Sequence, residues 1–327
     1  MLKLTSKIIF IYANGNKTVE VPFCTNCEVV TSVNNFTDTA KITLPRKIKI
    51  GNKFLHELIS KSDKVTIELG YNGNLNNIFS GYVNKIDKST PVVYECENEA
   101  FTFKKIKLAK QTYPKLLIKE FCNKYVKGYK TDIADFSLGE VRINEDVTLA
   151  QVFDYFMGHY PIKFFFRDNL FCGVLPGVMA LKSGNVTTIK LKSGINIITD
   201  ATTYELAEDV NLQIVAKCIL KNNKKLVSKR PKVAKDAEIR TFYNNNVTTQ
   251  AELDAFAEAK LKEYKVDRIV GEITTFGKPY VRKLDIVHLF SEEFPEKNNK
   301  KFVVEAVTYS FGIWGFRQKI KLGGQIK

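Results

Sequence analysis

The chain has 327 residues, 44% of them hydrophobic, with 50 basic against 35 acidic side chains and a net charge of +15. That length exceeds one typical domain and suits two with an insert, and the apolar content excludes wholesale disorder. No apolar run approaches the ~18–20 residues of a membrane helix, and the short apolar stretch in the opening MLKLTSKIIFIYANG is expected to be a first strand rather than a signal-peptide core.

From the N-terminus the signals are nearly all β. KIIFIYANGNKTVEVPF has a hairpin pattern with Asn14-Gly15 at its tip, and AKITLPRKIKI is an extended run in which Pro45 suits a strand end. NKFLHELISKSD places Phe54, Leu55, Leu58 and Ile59 on one helical face. In KVTIELGYNGNLNNIFSGYVNKI, Val65, Ile67 and Leu69 alternate with polar residues before an Asn72-Gly73 turn, and TPVVYECENEAF adds another strand. Five or six short strands with one helix spell a small barrel or a strongly curled sheet over 1–100.

Residues 101–185 change character. Leu116, Leu117, Phe121 and Tyr125 have helical spacing. NEDVTLAQVFDYFMGHY offers Asn144 or Asp146 as cap, an apolar stripe of Leu149, Val152, Phe153 and Phe156, and Gly158 as terminator. PIKFFFRDNLFCGV reads as a hairpin turning at Asp168-Asn169, which completes an α+β insert.

Residues 186–327 return to strands. One helix is expected over 249–265, capped by Thr248 or Thr249 with Glu252 completing a capping box. KLDIVHLF…KKFVVEAVTYSF, residues 283–311, repeats the grammar of 64–86, with Ile78, Phe79 and Val83 matching Phe302, Val303 and Val307. Two similar sheets separated by an insert imply a duplicated barrel. The 23 Phe and 14 Tyr fit such a strand-rich fold.

Catalytic chemistry finds little support. Cys24-x-x-Cys27 lacks the second ligand pair of a structural zinc site and lies between strands, unlike a redox motif. Cys96, Cys122, Cys172 and Cys218 sit among apolar neighbours as core fillers, and all six thiols are expected to be reduced. HELIS lacks the second His of a metalloprotease helix, while His159 and His288 read as a helix-end cation and a strand residue. Asp146 and Asp154 read as a cap and a helix-surface residue, not as a carboxylate pair. The N-x-T matches at Asn16, Asn35, Asn185 and Asn246 are turn-rich Asn, and neither metal nor cofactor is expected.

The charge is compatible with nucleic acid, an acidic protein or an anionic surface, or with a solvated Lys-rich exterior. The Lys residues are scattered rather than clustered, but a basic segment stands at 221–235, where Lys221, Lys224, Lys225, Lys229, Arg230, Lys232 and Lys235 are expected in an exposed loop contacting a partner or nucleic acid. No aromatic residue interrupts that run to stack a base.

DTAKITLPRK, the 64–86 hairpin, VTLAQVFDYFMGHYPIKFFFRDNLFCGV and the series from AELDAFAEAKLKEY to KKFVVEAVTYSFGIWGFRQKIKLGG together resemble the baseplate hub proteins of contractile phage tails. These include the late control protein D family and the hub portion of type VI secretion spike proteins. The resemblance implies an α+β, mainly β chain: two tail-tube-like β-barrels (1–100 and 186–327) around an α+β insert (101–185). It further implies a homotrimeric ring of pseudo-sixfold symmetry, located in a virion tail or injection particle assembled in the bacterial cytoplasm. Its partners would be the tail tube protein, a spike protein and other baseplate proteins, with DNA or an effector passing only in transit through a channel. Because no lysozyme-like segment follows KLGGQIK, wall-degrading activity and spike are expected in separate proteins, and the chain is expected not to be an enzyme. The competing class is a basic nucleic-acid-binding protein using the 221–235 loop; a wall-polymer hydrolase lacks a positioned carboxylate pair.

Overall fold

The computed structural model describes residues 2–13, 17–160, 162–174, 186–220, 224–244, 247–265 and 268–326. Asn14-Gly15, Lys221 and three of the N-x-T asparagines (Asn16, Asn185 and Asn246) lie outside these residues.

The first half follows from strict alternation. β1 (Leu4–Ile11), β2 (Thr18–Val21), β3 (Asn26–Ser32) and β4 (Thr39–Leu44) bury every second side chain. The NKFLHELIS helix shortens to a single turn, α1 (Leu55–Leu58), which buries Leu55 and is followed by buried Ile59. β5 (Lys64–Tyr71) and β6 (Asn74–Asp87) form the predicted hairpin, with Asn72 and Gly73 at φ 54° and 82°. Both signs belong to a primed two-residue turn, which matches the twist of the flanking strands. β7 (Val92–Glu97) follows and pairs with both β4 and β6.

The insert begins with α2 (Ala100–Phe103) and α3 (Ile118–Tyr125). In α4 (Leu149–His159) the cap is Thr148 rather than Asn144 or Asp146. Its hydroxyl accepts from Gln151 N while the Gln151 side chain accepts from Thr148 N. A two-residue strand at Val147–Thr148 keeps the chain extended up to the helix, so neither earlier candidate reaches the first turn. Gly158 lies within the helix, which ends one residue later at His159. β8 (Lys163–Arg167) and β9 (Leu170–Val174) make the predicted hairpin, with Asp168 at φ 52°. The insert has its own aromatic core, in which Phe103, Phe153, Phe164 and Phe171 pack with ring centroids 4.7–5.9 Å apart.

The later segment contains β10 (Thr188–Lys192), β11 (Ile197–Glu205), β12 (Leu212–Ile219), β13 (Lys225–Arg230), β14 (Glu238–Tyr243) and α5 (Gln250–Tyr264). β15 (Arg268–Phe276), β16 (Ile286–Phe290), β17 (Lys300–Gly312) and β18 (Gly315–Ile326) complete the fold. Strands β12, β13 and β14 form a separate three-stranded sheet under α5, with a small core of Leu212, Ile214, Ala216, Leu253 and Ala257. Thr249 caps α5 and Glu252 closes the capping box, as the sequence predicts.

The remaining strands of the two halves join in one thirteen-stranded sheet in the order β11-β15-β18-β17-β3-β4-β7-β6-β5-β1-β2, with β16 on β17 and β10 on β16. The join is β17 against β3, where Val307 faces Thr31 and Tyr309 faces Val29. A single core runs from Ile8 to Leu322 across this seam. Among the described residues the path of strands does not close on itself, so closed barrels do not appear in the hydrogen-bond pattern. The second hairpin, β16–β17, is present, but its outer neighbour differs. β10 runs parallel to β16, whereas β1 runs antiparallel to β5.

Candidate functional site: polar joints and exposed faces

The basic segment is not a loop. Lys225, Lys229 and Arg230 lie on β13, paired antiparallel to β12 from Ile219↔Lys225 to Ile214↔Arg230. Its alternation (Lys, Leu, Val, Ser, Lys, Arg) buries Leu226 and Ser228 toward α5, and that period-2 signal outweighs the local charge. Arg230 faces α5, where its guanidinium contacts Asp254 at 3.1 Å and Glu258 at 3.7 Å. Lys225 and Lys229 point to the opposite, exposed face. Lys224 precedes the strand, and Lys232 and Lys235 sit in the turn after it. The predicted cluster is therefore divided between two faces, with one member neutralised by helix carboxylates.

The outer face of this sheet also carries Lys217, which sequence reading missed because it lies on β12. Its ammonium lies 5.8 Å from the Tyr243 ring centroid. Register places Lys217 beside Val227 and Tyr243, and Val215 beside Lys229 and Thr241. Gln213, Ile219, Lys225 and Ile239 complete the face, which has three cations and no carboxylate.

Two buried ion pairs lock the three parts of the chain together. Lys283 Nζ, 5% exposed, donates to both Asp38 oxygens at 2.8 and 2.6 Å. Ser32 N and Asn98 Nδ2 also donate to this carboxylate. Burial pushes the Asp38 carboxyl above its usual range, and Lys283, Ser32 and Asn98 act in the opposite direction. The second pair joins the insert to the later half: Arg167 on β8 donates to Asp285 Oδ1 at 2.7 Å, and Asp285 also accepts from the backbone of Thr187 and Arg282. Arg282 in turn reaches Asp168 in the insert hairpin at 3.1 Å. No local motif marks these residues; their partners lie 118 and 245 positions away.

Beside Arg167, a cleft of about 680 Å³ opens between β5, β6 and the insert, lined by Lys64, Lys127, Lys130, Tyr82 and Tyr129. Burial pushes the Tyr129 hydroxyl up to about 12, so it remains a donor, 2.8 Å from Glu99 Oε2. Cys27 is buried on β3, where burial first, and then Cys24, Cys96 and Glu28, hold its thiol well above the ordinary value and protonated. His56 stacks on Phe54, His159 Nδ1 contacts Tyr155 O at 2.9 Å, and His288 Nε2 contacts Asn299 Oδ1 at 2.8 Å. Among the described residues no three His, Cys, Asp or Glu side chains cluster as a metal site, and no helix is long and apolar enough to cross a membrane.

A long, mainly antiparallel sheet with an α+β insert between its halves defines the class: the chain has the fold of phage tail proteins. It superposes on the tail protein of Neisseria meningitidis with a TM-score of 0.64 at 12% identity, covering 99% of this chain and 97% of that one. For the 43 kDa tail protein of Shewanella oneidensis prophage MuSo2 the TM-score is 0.61 at 10% identity, covering 97% and 98%. A chain of the Francisella PdpA–VgrG complex aligns over 100% of this chain and 55% of its own length, with a TM-score of 0.56 at 10% identity. No protein-family model and no curated protein matches the sequence.

Proposed function

We propose that the chain is a structural hub subunit of a phage tail or related injection-machine baseplate. The observation that carries this reading is the nearly end-to-end likeness, in both directions, to two tail proteins. In this reading the two halves, 1–100 and 186–327, act as tube-like barrels, and the 101–185 insert braces them through Arg167 and Asp285. Three copies close a ring of pseudo-sixfold symmetry that adapts the tail tube to a central spike and leaves a channel. The places of β2 and β11 at the two ends of the strand order among the described residues support it, because strands at sheet edges favour pairing between subunits. A contact repeated around an axis closes when its rotation fits. The role is assembly rather than catalysis.

Solution mass measurement and electron microscopy of the purified protein test the ring. A three-copy particle with six quasi-equivalent lobes is the expected result, and a compact monomer at every concentration and with every tail partner would sink the proposal.

The outer face of the β12–β14 sheet favours a second reading, a nucleic-acid contact, because its charges are all positive. Neutralising Lys217, Lys225 and Lys229 to Gln would then weaken duplex DNA binding and reduce its salt slope by roughly three. An unchanged slope rejects that use of the face.

A further inference from the structure

The turn between β17 and β18 departs from ordinary turn chemistry. Two-residue hairpin tips favour Asn, Asp and Gly. Here the tip is Ile313-Trp314, flanked by Gly312 and Gly315, with both side chains about 85% exposed: 86% for Ile313 and 85% for Trp314. Trp314 is the single tryptophan of the chain. The tip is rigidly mounted. Directly beneath it Phe311 and Phe316 are buried in edge contact at 5.9 Å, and Phe316 O accepts from Tyr71 Oη at 2.9 Å and Gly277 N at 3.0 Å. Phe276, 41% exposed, lies across from Arg317, whose guanidinium is 4.8 Å from its ring centroid.

Register locates this knob at one end of the sheet. Phe311 faces Cys27 at the start of β3, Asn26 faces Thr43, Leu44 faces Val92, and Asp87 faces Val93. The insert is attached at the other end, where Phe36 and Ala100 enter its aromatic core. At the knob's end, segments 22–25, 45–48, 88–91 and 277–279 carry Arg46, Lys47, Lys88 and Lys278, and the adjoining strand ends carry two exposed carboxylates, Glu28 opposite Ser310 and Asp87 opposite Val93. An apolar centre in polar surroundings where these cations outnumber the carboxylates is the anatomy of a docking patch with an aromatic anchor.

We propose that Ile313 and Trp314 anchor a docking surface for a different protein of the same particle, one that presents an apolar hollow bordered by carboxylates. The partner stacks on the end of the sheet away from the insert. Charge complementarity selects an acidic partner, and the aliphatic Ile313 favours protein over nucleic acid. This inference rests on the tail-hub reading.

The test places the photo-crosslinker p-benzoylphenylalanine at position 314 of the full chain, in cells that assemble the particle. The expected product joins this chain to a protein of different sequence, at a segment bearing Asp or Glu. It falls at least tenfold in an Arg46→Glu/Lys47→Glu/Lys88→Glu variant and returns when the partner's carboxylates are changed to Lys. A crosslink to a second copy of this chain or to nucleic acid overturns the proposal, as does no crosslink in assembled particles. Trp314→Ser removes a side chain that makes no buried contact, so circular dichroism is expected to be unchanged while particle yield falls at least tenfold. The mass of the isolated protein is measured in parallel. A ring that persists without the expected crosslink rejects the docking surface alone, whereas a monomer that still gives the crosslink rejects the ring alone.

Discussion

Asp38 and Lys283 carry the sharpest expectations for single side chains. Breaking a buried pair leaves the other charge unsatisfied, so Lys283→Met is expected to destabilise the chain by about 3–5 kcal/mol in urea unfolding at neutral pH. Burial already raises the Asp38 carboxyl, and losing Lys283 removes a lowering influence and raises it further. A raised native value means that the folded chain holds the proton more tightly than the unfolded chain. The stability of the variant is therefore greatest below the unfolded carboxylate value and declines as pH rises through the native one. Unfolding midpoints measured from acid to neutral pH check the sign; a variant that gains stability as pH rises contradicts it. Gly81 supplies a steric counterpart. A Cβ there would stand 2.1 Å from the Glu97 carbonyl oxygen, so Gly81→Ala must spread β6 from β7. A loss of ~1–3 kcal/mol is expected, read as a lower midpoint at unchanged slope.

Helices and hairpins show how far local sequence reaches. Asn72-Gly73, Asp168-Asn169 and the Thr249…Glu252 box were legible because each signal lies within four residues. Thr249→Ala is expected to cost ~1 kcal/mol of thermal stability. Hydrogen bonds from the Thr248 backbone and hydroxyl, with smaller ones from Thr249, lower the Glu252 carboxyl. That contribution is present above the unfolded carboxylate value and is lost as pH falls through the native one, so the deficit of a Glu252→Gln variant should shrink in acid. A deficit constant down to the acid transition would show that the box is not the source. By contrast, the 221–235 charges masked the alternation of Leu226 and Ser228, so a strand was read as a loop. Lys217 escaped notice because a sheet face gathers residues from three strands. The seam of β17 on β3 was equally hidden, since each strand reads as half-buried and nothing in either names its neighbour.

At the scale of the whole molecule, polar joints act beside a hydrophobic core that the two halves share and a small apolar cluster of Val33, Phe165, Cys172 and Leu284 that touches all three parts. The Arg167–Asp285 contact is the bolt between the insert and the later half, so Asp285→Asn is expected to lower the midpoint of the insert's aromatic signal more than that of the α5 unit. A uniform shift of both would place the effect elsewhere. The β3–β17 seam has a further consequence, for synthesis. Thr31 Oγ1 donates to Val307 O across a separation of 276 residues. At the ribosome's ~5–20 residues per second, the partner of β3 follows it by many seconds. During that interval β3 presents an unpaired flank to the crowded cell, and contacts so distant in sequence also form slowly. The insert, whose contacts are mostly internal, can order first and shelter the waiting strands. Nascent-chain stalling after residue 300 would reveal the delay as protease sensitivity in β3 that disappears once β17 and β18 have emerged.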